Sequence, residues 1–125
     1  MNNPLPGLLL LTAVFACGAL HADSLEDFEA TYILKLGSLR IGTSAITLQT
    51  GTDGSYRYES HSWPVRWVSW LLKDQLHESS HGHITPTGLS PEKYHYLRSG
   101  GDREREADLS FNWDEHTVRN RVEGS

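Results

Sequence analysis

From Phe28 onward, apolar side chains recur at every second position. In Phe28–Leu36, the residues Phe28, Ala30, Tyr32, Leu34 and Leu36 share one parity, and Glu29, Thr31 and Lys35 share the other. Successive side chains of a strand point to opposite faces, so this alternation predicts a strand with one apolar face and one wet face. Ile46 with Leu48, Tyr56 with Tyr58, and Tyr94 with Tyr96 continue it. Ala107, Leu109, Phe111 and Trp113 extend it further, with Trp113 expected to be buried, and Val118 and Val122 follow. Between these runs lie turn signals: Gly51–Gly54, Pro86 with Gly88, Ser99–Asp102, and Asp114–His116. Gly and Asp accept the dihedrals that tight hairpins need. The predicted fold is mainly β: a curved antiparallel sheet or partial barrel of about six or seven strands.

One segment breaks the rhythm. Ser62–Asp74 holds three of the four tryptophans, Trp63, Trp67 and Trp70. After Pro64 the spacing of Val68, Leu71 and Leu72 predicts one short Trp-rich helix, apolar on more than one side. It is expected to plug one end of the sheet. Two sharper roles are a lid over an apolar cavity and a contact with a membrane interface, where Trp is enriched.

The N-terminus follows a different logic. Residues Met1–Ala22 contain no Asp, Glu, Lys or Arg, and Leu8–Leu20 is an apolar run. A membrane-spanning helix takes about 20 such residues. The run instead reads as the core of a secretory signal peptide cleaved after Ala22. The absence of a basic residue before it, and the bulky Leu20 near the cleavage point, depart from the usual pattern. The organisation is therefore a signal peptide at 1–22 and a single β-rich domain at 23–125. The lone cysteine, Cys17, lies inside the leader, so the mature domain must hold together without a disulfide. An alternative makes Cys17 the acylated first residue of a lipoprotein, although Phe15 fits a lipobox poorly.

The net charge is −5, with both signs interspersed. No basic stripe points to nucleic acid, and the mixed charges of Asp102–Leu109 read as a solvated strand face. The final strand-like stretch, Arg119–Val122, has no visible pairing partner. Open edges invite aggregation, so the domain is expected to continue beyond Ser125.

His77-Glu78-Ser79-Ser80-His81 matches the H-E-x-x-H signature of zinc metalloproteases. That chemistry needs a helix, where four residues rise only about 6 Å and both rings can reach one ion. On a strand the same spacing covers about 13 Å. Ser79, Ser80 and Gly82 are weak helix formers, which favours the strand. His77, Ser79, His81 and His83 then share the polar face, and His81 with His83 could share only an adventitious metal. No cofactor is implied. The zinc alternative keeps His77 and His81 as ligands with Glu78 as base. On the strand, Glu78 falls on the inward side with Leu76 and Ile84. A carboxylate there needs a partner or water, which makes it the one hint of a functional interior.

Taken in order, several short motifs resemble a known family. They are Phe28-x-x-x-Tyr32, Ile41-Gly42, Gly54-x-Tyr56, Ser80-x-Gly82-x-Ile84, Gly88-Leu89-x-Pro91-x-x-Tyr94 and Phe111-x-Trp113. Together they resemble the bacterial exported family called domain of unknown function 3108, over about Phe28 to Val118. The resemblance implies an exported, β-rich protein whose relatives are longer, with no established activity and no catalytic residues to carry over. The H-E-x-x-H is not a feature of that family.

These readings lead to an expectation: a periplasmic, cell-envelope protein, more a binding or maintenance module than an enzyme. Its apolar interior would take a lipid-like ligand, with Trp63, Trp67, Trp70 and Glu78 as candidate contacts. The rival readings are the zinc-dependent hydrolase and a structural module that pairs through its open sheet edge.

Overall fold

The computed structural model describes residues 25–124. The expected leader, its cleavage point and Cys17 lie outside them. The described residues form one antiparallel sheet of seven strands in sequential order. They are β1 (Phe28–Leu36), β2 (Leu39–Thr50), β3 (Ser55–Pro64), β4 (Gln75–Thr85), β5 (Gly88–Ser99), β6 (Arg105–Asn112) and β7 (Thr117–Gly124). Every strand pairs with its sequence neighbour. The sheet does not close: β1 and β7 are its two edges, and the partial barrel expected from the pattern is an open sheet.

The predicted turns form where the glycines and small polar residues stand. Gly51 donates from its N–H to the Ser55 carbonyl, closing the β2–β3 hairpin, and the Asp53 side chain accepts from the Ser55 N–H at 3.0 Å. A further two-residue turn joins β1 to β2 through Gly37, whose φ of 61° suits a residue without Cβ. The Trp113–His116 turn puts His116 in the left-handed region, at φ 53°. Only the β3–β4 connection is long.

Cross-strand register sorts the side chains onto two faces. Phe28, Leu48, Tyr58, Ser80, Tyr94 and Leu109 align across six strands. With Ile46, Tyr56, Leu76, Tyr96 and Phe111 they make an apolar face. Thr47, Glu59, Ser79, His95 and Asp108 align one position away, on a polar face. The core is thin. Leu48, Tyr56 and Val68 are its buried apolar residues, with Ser44 and Ser60 buried beside them. Serines pair where they are covered: Ser62 donates to Ser44 at 2.9 Å. Phe28, Tyr32 and Val122 on the apolar face stay substantially exposed, because no second layer covers it among the described residues.

Two irregularities bend the ladder. Register shifts once in β1, between Leu34 and Lys35, and once between His81 and Gly82. At the second, β5 carries an extra residue and its backbone presses over Gly82. A Cβ on Gly82 would collide with the Ser90 carbonyl, and would lie 2.8 Å from Pro91 Cα and 2.9 Å from Glu92 N. Only glycine fits.

Two expectations are corrected. The short Trp-rich helix does not form. Ser69 and Leu72 donate to the carbonyls of Val65 and Val68, but no ladder runs through the bonds between. Arg66–Leu71 is instead a chain of turns. Trp63 is not part of it, because β3 runs through Pro64. Trp113 is also not buried: it sits in the β6–β7 turn, 52% exposed. There its ring stacks on Phe111 and its Nε1–H donates to the Pro91 carbonyl at 2.7 Å.

Candidate functional site

The centre of the apolar face carries a carboxylate. Glu78 stands on β4 between Ser60 of β3 and Tyr96 of β5. Strand parity puts it there, on the same side as Leu76 and Ser80. The Tyr94 hydroxyl donates to Glu78 Oε1 at 2.5 Å. Burial raises the Tyr94 phenol well above its ordinary range, and the Glu78 bond and charge add to the effect. The phenol therefore stays protonated and keeps donating. In the ladder Tyr96 stands opposite Glu78, and Tyr58 stands opposite Ser80, two residues along β4. One step along β4, the Tyr56 hydroxyl and Ser80 Oγ lie 3.0 Å apart. Tyrosines on both neighbouring strands thus frame Glu78 and Ser80.

Beside this group the sheet and the β3–β4 loop border an open cleft of about 340 Å³. Leu34, Ile41, Pro64, Leu72, Leu76 and Tyr96 supply most of its apolar wall. Tyr96 belongs to both places: it lines the cleft and faces Glu78 in register. At the rim, Arg98 donates to Asp74 Oδ2 at 2.6 Å. That bond holds the Asp74 carboxyl below its usual range. The other oxygen, Asp74 Oδ1, is buried without a hydrogen-bond partner among the described residues.

The four candidate contacts do not converge. Glu78 is on the apolar face. Trp63 belongs to the opposite parity, with its ring 5.0 Å from that of His61, and it reaches only the cleft wall. Trp67 and Trp70 are 56% and 75% exposed, and neither lines the cleft. The loop contributes Leu72 and Asp74 to the cleft instead.

The polar face decides the metalloprotease question. Gln75–Thr85 is a strand, so His77 and His81 stand about 13 Å apart along it, and Glu78 points to the other face. The geometry of a zincin is not met. His77 instead faces His61 across the β3–β4 ladder, ring centres 5.7 Å apart. His83 Nε2 lies 3.0 Å from Glu92. Sequence reasoning missed one cluster: His95, Glu106 and Asp108, whose ligand atoms lie within 4.8 Å of one another. His95 Nδ1 is 2.8 Å from Asp108 and its Nε2 is 3.8 Å from Glu106. Each ring nitrogen of His95 thus faces a carboxylate on the polar face.

An open antiparallel sheet of seven strands, apolar and tyrosine-rich on one face and polar on the other, defines a mainly β protein. The chain belongs to the family described as Protein of unknown function (DUF3108), whose model matches residues 27–124. Neither the curated proteins nor the solved structures contain a match to it.

Proposed function

We propose that this is an exported protein of the bacterial cell envelope that holds a lipid-like, apolar ligand against the apolar face of its sheet. The observation that carries the reading is the cleft of about 340 Å³ walled by Leu34, Ile41, Leu72, Leu76 and Tyr96. Its size and apolar wall suit a hydrocarbon chain. The leader-like segment before Asp23 supports a periplasmic address. The test is native mass spectrometry of protein isolated from the envelope fraction, with N-terminal sequencing. The expected product starts near Asp23 and carries a bound lipid, which Leu76→Arg releases. Ligand-free protein, or a cytosolic product retaining Met1, defeats the reading. An acylated start at Cys17 keeps export and replaces the soluble form with an anchored one.

A second reading concerns the membrane surface. Trp67, Trp70 and Leu71 in the β3–β4 loop are 56%, 75% and 71% exposed. Exposed tryptophans favour the interfacial zone of a bilayer. Flotation with liposomes should depend on Trp70 and Leu71, and unchanged flotation of a Trp70→Ser, Leu71→Ser variant refutes it.

A further inference from the structure

Among the described residues Glu78 is the only acidic residue in register on the apolar face. Among the described residues it forms one hydrogen bond, to the Tyr94 hydroxyl, and no ion pair. The nearest cation of its face in the ladder, Arg98, is held at 2.6 Å by Asp74. A partly covered carboxylate without a counter-charge is unfavourable, and a cationic ligand relieves it. Tyr58, Tyr94 and Tyr96 surround the position, and tyrosine ring faces attract cations. Tyr96 also lines the apolar cleft, so a head group at Glu78 and a chain in the cleft can belong to one molecule.

We propose that Glu78, framed by Tyr58, Tyr94 and Tyr96, receives the ammonium head group of an amphiphile whose hydrocarbon chain lies in the adjoining cleft. The inference rests on the reading of the cleft as an apolar ligand site and adds the charge of the ligand. The Tyr94 hydroxyl fixes one oxygen of the carboxylate, leaving the other for the incoming N–H or N-methyl group. Quaternary and primary ammonium heads both satisfy this chemistry. A sulfate or phosphate head alone does not, because it would meet the Glu78 charge directly.

The test compares three ligands of one chain length: decyltrimethylammonium, decyl maltoside and decyl sulfate. Each is titrated below its micellar concentration into the purified protein and into Glu78→Gln, with binding read by calorimetry and native mass spectrometry. The cationic ligand should bind about tenfold more tightly than the neutral one. Glu78→Gln should erase that preference and leave decyl maltoside unchanged. The three-way comparison in the unaltered protein stands even if the variant fails to fold. Equal affinities, or a preference for decyl sulfate, overturn the head-group assignment while the apolar cleft survives. Binding of none of the three overturns both.

Discussion

Gly82→Ala separates the strand from the metalloprotease more sharply than any change at the histidines. In a zincin, Gly82 would be a bystander after the second ligand, and His77 would be indispensable. In the sheet the order reverses. A Cβ at Gly82 meets three backbone groups of the β5 bulge: the Ser90 carbonyl, Pro91 Cα at 2.8 Å and Glu92 N at 2.9 Å. None is the end of a flexible side chain, so the bulge itself must move. Overpacking of this kind costs about 1–3 kcal/mol. At about 2 kcal/mol, a domain of this size loses roughly 8–16 °C in melting temperature. His77 is exposed on the polar face, with the His61 ring at 5.7 Å. His77→Ala should therefore stay within about 0.5 kcal/mol of the parent. Paired thermal melts by circular dichroism, with zinc analysis of each preparation, measure both. A Gly82→Ala protein as stable as the parent, or a bound zinc lost on His77→Ala, would refute the strand geometry.

Three further outcomes follow. Trp113→Ala should cost about 1–2 kcal/mol, the scale of a lost hydrogen bond and ring stack, rather than the roughly 3–5 kcal/mol of a buried aromatic; urea unfolding distinguishes the two. Tyr94→Phe, which leaves Glu78 Oε1 without its donor, should destabilise by about 1–2 kcal/mol, and a neutral result in the same assay would show that water replaces the hydroxyl without loss. Asp27 and Asp53 are held below the ordinary carboxylate value of 3.8, first by the side-chain hydroxyls of Thr50 and Ser55 and then by the backbone N–H groups of those residues, while Asp74 is held there by Arg98. Folded-state values below the unfolded ones mean that this stabilisation is present above pH 3.8 and fades as the pH falls through the lower folded values; melts between about pH 2 and about pH 6 should show the loss, and Asp27→Asn should shrink it.

The strands were legible because their chemistry is local. Alternation in Phe28–Leu36 needs no knowledge of partners, and the turn at Gly51–Gly54 is written in four consecutive residues. The inward position of Glu78 followed from parity alone. Its hydrogen bond to Tyr94 did not, because that contact depends on the β4–β5 register and on the extra residue opposite Gly82. The pairing of His95 with Asp108 was hidden for the same reason: the residues are 13 apart, and only the turn at Gly100 brings them level. The misread tryptophan segment shows the limit of periodicity. Val68, Leu71 and Leu72 have helical spacing, yet only Val68 is buried, and a helix with one anchored residue gains too little from packing to propagate. At Trp113 the alternation was carried one residue past the end of β6, where the chain turns out of the sheet.

The unbroken meander has a consequence for how the chain acquires its structure. Each strand bonds only to the strand before it and the strand after it, so no pairing waits for a distant segment to arrive. Loop closure is short at five of the six connections, and only Val65–Asp74 must be spanned at greater entropic cost. Local topology of this kind favours rapid folding. An unfolded chain can therefore zip up hairpin by hairpin, each new strand using the last as its template, with the tryptophan loop as the longest gap to close.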